Sequence, residues 1–306
     1  MEKKSLTALV SAFSRAYHAK HNQVKIFDDP IAIQLLTDQE YEQIAFNMSQ
    51  AISFFQPSFV GSREQALREV VDVQLSPSPL GRAAFAEQSL AVAASLGAEQ
   101  YLIFAAGYDT FAYRQPEWAK RLRIFEIDHP VTAADKERRV SALPMAKPDN
   151  LHRVAADFLE GDWTSRLTAC RAFDPERISF SSLLGISYYL PKQAFKQLLS
   201  SIARLVPSGS SFVFDYPDEL TLTPKAGERA QKQVMMAMHA GEPMQAGYSC
   251  AELEQLLEEA NLLIYQHLTP SEITSQLFQA YNDSQPGHKI TAFDNVNYCL
   301  AVKPFR

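Results

Sequence analysis

Residues 101–110 read YLIFAAGYDT and residues 122–130 read LRIFEIDHP. Each begins as an apolar run. The first opens into a small-residue turn at Gly107 and the second stops on an acid, Asp128, a pattern expected of buried strands that end in loops. Gly107 precedes Asp128 by about 20 residues, the separation expected between a first strand-end loop and a second strand-end acid. A carboxylate there can accept hydrogen bonds from both hydroxyls of a ribose.

The loop lacks the G-x-G-x-x-G of a dinucleotide site, because Ala105 and Thr110 stand where the flanking glycines would be. Without them the backbone has no close approach to a pyrophosphate. A cofactor with a ribose and no phosphate, such as S-adenosylmethionine, tolerates this loop. A plain strand–helix turn is the alternative for the loop taken alone. The next strand end weighs against it, since HRVAAD (152–157) also closes on an acid. There Asp157 offers a carboxylate for an exocyclic amine and Phe158 an apolar face for a purine ring.

The same alternation runs through the rest of the chain. ISFSSLLG (178–185), SSFVFD (210–215) and NYCLAVK (297–303) read as further strands. Helical periodicity marks residues 83–97, closed by Gly97, a stretch around Lys136, residues 191–209 after Pro191, and SCAELEQLLEEAN (249–261) with Ser249 as cap. Strands alternating with helices predict an α/β fold with right-handed crossovers, a parallel sheet and helices on both faces. Ligands bind such sheets at the carboxyl ends of the strands, beside the switch point. Before Leu80 the chain reads as helical, and residues 216–248 form a polar, Met-containing insertion. We expect a helical N-terminal cap region at 1–80 and a main domain at 81–306 into which a second cap segment, 216–248, is inserted.

Composition narrows the function classes. The 306 residues are 46% hydrophobic and 21% charged, with a net charge of −6. This favours small or neutral partners over nucleic acid or an anionic membrane. The apolar run near the N-terminus is broken by Ser11, Ser14 and Arg15 and reads as a helix, not a signal peptide. No stretch has the length of a membrane span. Cys170, Cys250 and Cys299 are scattered and not at metal-ligand spacing; they fit a reducing cytoplasm and are expected in the core, with no metal site.

Six ordered motifs carry a family resemblance: FDDPIA (27–32), GRAAFAEQSL (81–90), AAGYDTFAYR (105–114), FEIDHP (125–130), AADFLEGDW (155–163) and YYLP (188–191). Each is loose alone, but six in one order are specific. The chain resembles the leucine carboxyl methyltransferase family, especially its bacterial branch resembling the tetracenomycin polyketide-synthesis O-methyltransferase. The resemblance runs from about Arg15 to the C-terminus. It implies a Rossmann-like class I fold and S-adenosyl-L-methionine as cofactor. Carried over by position, it implies that Arg82 pairs with the cofactor's methionine carboxylate and that Ala105 and Gly107 pass beneath the methionine. Asp128 would take the ribose, Asp157 and Phe158 the adenine, and Arg15 would close on the cofactor, although its spacing to Pro30 departs from the family. Two further departures are Leu184, where the family has an acid, and Glu87, where it has Asp on the arginine helix.

Methyl transfer is an in-line displacement that positioning can catalyse. A carboxylate acceptor is already ionised, whereas a phenol needs a base or hydrogen bonds. Tyr188, Tyr189 and Tyr248 are the catalytic candidates, with His239 and His288 beside them, and packing roles are the alternative for each. Met235, Met236 and Met238 give the insertion a soft face suited to an apolar ligand. The expected activity is O-methylation of a small-molecule hydroxyl or carboxylate, with protein carboxyl groups second. A non-catalytic cofactor-binding protein is one competing reading, raised by the acid missing at Leu184. A nicotinamide-dependent oxidoreductase is another, and it lacks a phosphate site here.

Overall fold

A computed structural model of the chain describes residues 5–158 and 163–305. Residues 1–4, the LEGD part of the AADFLEGDW motif (159–162) and residue 306 lie outside the described residues. The N-terminal part is helical, as its sequence reads: α1 (Leu6–His21), α2 (Asp38–Gln50), α3 (Ile52–Phe55) and α4 (Arg63–Glu69). A π-helical turn, Val70–Leu75, leads into the long α5 (Pro77–Ser95). This last helix begins before residue 80 and continues beyond it, so the expected boundary between cap and main domain falls within one helix.

The sheet then builds in alternation: β1 (Gln100–Phe104), α6 (Phe111–Arg114), β2 (Arg123–Asp128), α7 (Pro130–Ser141), β3 (Leu151–Ala155), α8 (Trp163–Thr168), β4 (Ser179–Leu183), α9 (Lys192–Leu205) and β5 (Ser211–Pro217). The insertion carries α10 (Glu228–His239). After it come α11 (Cys250–Glu259), β6 (Leu263–Leu268), α12 (Pro270–Leu277), α13 (Gln279–Ser284) and β7 (Val296–Val302). The strand order is β3-β2-β1-β4-β5-β7-β6. Strands β1 to β5 are parallel, whereas β7 runs antiparallel to both β5 and β6. The sheet is therefore mixed rather than wholly parallel. Apolar patterning reports burial and not strand direction, so the reversal is invisible in the sequence. Strand β6, not singled out there, is half-exposed along most of its length, which blurs its apolar signal.

Alternation along the strands supplies both faces of the core. Leu102, Phe104, Phe125 and Ile127 pack with Phe195, Leu198 and Ile202 of α9 on one face. Tyr101, Ile103 and Ile124 pack with Phe85 and Leu90 of α5 on the other. A third cluster joins Phe13 and Ala16 of α1 to Leu35, Val71, Tyr108 and Val140, fastening the N-terminal helices to the loop after β1. Gly97 adopts φ 106° where α5 ends, and Ser249 and Glu252 form a reciprocal capping box at the start of α11. The cysteine expectation needs correction. Only Cys299 is buried; Cys170 is intermediate and Cys250, on the first turn of α11, is exposed.

The strand order reverses between β1 and β4, which opens a crevice at their carboxyl ends. Into it turn the loops after β1, β2 and β4.

Candidate active site

A cavity of about 1130 Å³ occupies this crevice, roofed by α1 and by the insertion around α10. It exceeds the roughly 300–1,000 Å³ of a typical single-ligand pocket, so it has room for a cofactor and an acceptor together. Its lining includes Arg15, Arg82, Ala105, Gly107, Asp128, Tyr188 and Tyr189 from the sequence candidates.

The loop after β1 is shaped by two residues at φ 49°, Ala105 and Gly107. Glycine adopts this left-handed conformation freely; alanine holds it at a cost of roughly 1–2 kcal/mol. The resulting turn aims the Gly107 amide at Asp128 Oδ2, 2.5 Å away, while the His129 amide donates to Oδ1 at 2.7 Å. Burial raises the Asp128 pKa, opposed by these two amide bonds. A carboxylate has about four lone-pair sites, and the two amides use two of them, so both oxygens can still accept from a ribose.

Arg82, one turn and a half into α5, donates from Nη1 to Asp215 Oδ2 at 3.3 Å. Asp215, on β5, is completely buried. It also accepts the Gly185 amide at 2.6 Å and the Tyr188 hydroxyl at 2.9 Å. Gly185 is at φ 68°, and a Cβ there would come within 2.7 Å of the Arg82 Cζ, so glycine is what lets the guanidinium lie against the end of β4. Burial works against the charge on Arg82, but Asp215 and the surrounding tyrosines outweigh it and strengthen the protonated form. One of the five guanidinium N–H groups meets Asp215, which leaves donors for a carboxylate in the cavity.

Tyr188 and Tyr189 stay protonated. Burial, reinforced by Asp215, pushes Tyr188 well above its ordinary value, and burial moves Tyr189 to about 12. Both are hydrogen-bond donors here and neither can serve as a base near neutral pH. Tyr248 lies outside the cavity, buried against Phe195 and Tyr216, so it cannot touch an acceptor there. His288 is also elsewhere, 2.9 Å from Asp72. His239, at the end of α10, does line the cavity.

The adenine candidates are less closely gathered. Asp157 sits beyond β3 with an oxygen 3.8 Å from His129 Nε2, and His129 lines the cavity. Phe158 packs against Phe104 and Trp163 and lines a separate, smaller pocket.

Several motif residues converge on Asp29, which is fully buried. Asp29 accepts Arg15 Nε at 2.8 Å, Thr110 Oγ1 at 2.7 Å and the Ala32 amide at 3.0 Å. Arg15 also donates to the Tyr108 carbonyl at 2.7 Å and to Ser11 Oγ at 3.2 Å. Arg114, 3.6 Å from Asp29, grips both oxygens of Glu87. Thus FDDPIA, AAGYDTFAYR and the arginine helix are parts of one ion network that binds the N-terminal helices to the β1 loop. Glu87 in place of Asp keeps that network closed.

The sequence reading missed Asp215. The signal was present, because SSFVFD ends on an acid like the strands whose acids were noticed.

Comparison with known proteins identifies the family and the fold. The family model for leucine carboxyl methyltransferase matches residues 8–203. A Bacillus subtilis (strain 168) protein, YktD, named provisionally as an S-adenosyl-L-methionine-dependent methyltransferase, is 40% identical over 311 residues, covering 98% of each chain. Among solved structures, a DUF574-family protein from Streptomyces avermitilis MA-4680 superposes with a TM-score of 0.59 at 15% identity, over 96% of this chain and 97% of that one. A protein from Thermobifida fusca YX, described provisionally as a methyltransferase, gives 0.57 at 14% identity, over 86% and 95%. These two structural likenesses speak to the fold alone.

Proposed function

From the premise that the chain belongs to the leucine carboxyl methyltransferase family, we propose that it transfers a methyl group from S-adenosyl-L-methionine to an oxygen, hydroxyl or carboxylate, of a small molecule. The methyltransferase activity and its cofactor follow from the family and from the relative matched over nearly its whole length; the acceptor is our reading. When bound, the cofactor supplies an electrophilic methyl group on a sulfonium.

The residues present fit such a cofactor, since Asp128 keeps acceptor sites and Arg82 keeps donors in one cavity. Arg82 would hold the methionine carboxylate and Asp128 the ribose hydroxyls. The backbone of Ala105 and Gly107 would pass beneath the methionine, with Arg15 closing above. Asp157, 3.8 Å from the cavity residue His129, would reach the adenine amine, whereas Phe158 lines a separate pocket and is left unassigned. Tyr188 and Tyr189 stay protonated and so serve as hydrogen-bonding groups rather than bases. Segments 1–80 and 216–248 act together as a cap that excludes water, and the unpaired cysteines suit a reducing cytoplasm.

The observation that carries the reading is the cavity itself. Its lining beyond the cofactor residues is largely apolar, with Met48, Phe54, Phe55, Met235, Met236 and Phe293, which suits a partly apolar small molecule. A screen with methyl-labelled cofactor across small acids, phenols, peptides, RNA and DNA tests it. Label transfer to acids or phenols is expected, and turnover confined to a nucleic acid would overturn it.

A further inference from the structure

The ionisable groups lining the cavity have mostly found partners within the chain. Among the described residues its guanidinium groups are Arg15 and Arg82, and no lysine lines it. Arg15 is held by Asp29, Ser11 Oγ and the Tyr108 carbonyl, and Arg82 is shared between Asp215 and, on the reading above, the cofactor carboxylate. The carboxylates are Asp109, Asp128 and Glu242. Asp109 accepts the Phe111 amide, Asp128 the amides of Gly107 and His129, and Glu242 both the hydroxyl and the amide of Thr7. For an anionic acceptor the remaining cation would be the cofactor's own sulfonium, and among the described lining residues no side-chain cation is left to offset the desolvation of a carboxylate.

A neutral hydroxyl avoids that penalty but must lose a proton. The cavity tyrosines are protonated donors. His129 accepts the Val131 amide on Nδ1, 3.3 Å, which places its proton on Nε2, toward Asp157. His239 is set the other way. Its Nδ1 lies 2.8 Å from the Met235 carbonyl, an atom that can only accept, so Nδ1 carries the proton and Nε2 is left with a lone pair. The loop that follows His239 is tied over the end of β4: the Gln245 amide and side chain donate to the Tyr188 and Tyr189 carbonyls, both at 2.7 Å. The element bearing this imidazole is thus fixed against the loop next to Leu184 and Gly185.

We propose that the acceptor is a neutral, apolar phenol or enol and that His239 Nε2 takes its proton. This rests on the O-methyl reading above. In the step, the acceptor oxygen forms a bond to the methyl carbon as the carbon–sulfur bond breaks. The electron pair of that bond stays on sulfur, giving S-adenosylhomocysteine, and the hydroxyl proton passes to Nε2.

Two measurements test it. By calorimetry with S-adenosylhomocysteine present, naphthols should bind at least about tenfold more tightly than naphthoic acids of the same shape; equal or reversed affinity overturns the acceptor class. In turnover, His239→Ala should lower kcat/KM for alkylphenols and naphthols by about 100-fold. The same variant should lose less than about threefold on nitrophenols, which enter as anions at a lower parent rate but, being ionised at the assay pH, need no base. Equal losses on both groups overturn the role of His239, because a structural defect would not distinguish them. Inertness of every phenol overturns the assignment. If naphthoic acids turn over instead, the O-methyl reading stands and the acceptor class alone falls; turnover confined to peptide carboxyl termini removes both.

Discussion

Leu184 and Asp215 stand side by side at the ends of neighbouring strands, since the register pairs Leu183 with Phe214 immediately before them. The acid that the family places after the fourth strand is absent at Leu184, and a carboxylate lies one strand away at the same level. Its bonds to Gly185, Tyr188 and Arg82 occupy three of its roughly four lone-pair sites and make it a positioning residue that aims Arg82.

Removing Arg82 should therefore do more than weaken cofactor binding. Arg82→Ala strands a buried carboxylate, and such losses cost about 3 kcal/mol. Adding Asp215→Asn to Arg82→Ala should restore at least half of the lost stability in denaturant unfolding. If the double variant is less stable than Arg82→Ala, the two side chains are not a coupled pair.

Asp128→Ala should weaken S-adenosylmethionine binding by about 1–3 kcal/mol, the range for losing charge-assisted hydrogen bonds. The loop geometry adds a second expectation. Gly107 loses its carboxylate partner, so its amide should exchange with solvent faster in the variant. Unchanged calorimetric affinity in a folded variant would remove Asp128 from the ribose site.

The sheet and most of the loop after β1 were legible because both rest on local pattern. An apolar run ending at Gly107 or Asp128 carries its own position, and Ser249 announces the start of α11 through its reciprocal bond with Glu252. What escaped depends on partners distant in the chain. Asp215 gains its role from Arg82, 133 residues earlier, and Tyr248 loses its candidacy through packing that no periodicity records. The tautomer of His239 is set by one backbone carbonyl, which becomes available only once α10 has formed.

Ala105 offers a test of strain in the loop. It holds φ 49° where the family has glycine. Ala105→Gly relieves roughly 1–2 kcal/mol of left-handed strain, offset by about 0.4–1 kcal/mol from the freer unfolded chain. The net expectation is a variant as stable as the parent or more stable by up to about 1.6 kcal/mol, measured by chemical denaturation. A clear loss of stability would mean that the Ala105 methyl, which packs against the main core, contributes more than its backbone costs.

The last expectation concerns pH and begins at α1, whose residues from Leu6 to Arg15 contribute to the cavity roof. His18 is completely buried on this helix, with Nε2 accepting the Ile26 amide at 2.9 Å. Burial lowers its pKa to about 4, against 6.5 for a free imidazole, with Asp72 opposing the shift. Below pH 6.5 the unfolded chain takes up a proton that the native chain refuses until about pH 4. The stability is therefore fully present above 6.5 and is lost as pH falls toward 4, by about 3 kcal/mol in total. His18→Gln should flatten the dependence of the unfolding midpoint on pH across this window, whatever it costs at neutral pH. A parent slope preserved in the variant would place the proton uptake on another group. Because α1 helps to roof the cavity, the parent should also lose cofactor affinity as the pH falls through the same window, and the variant should not.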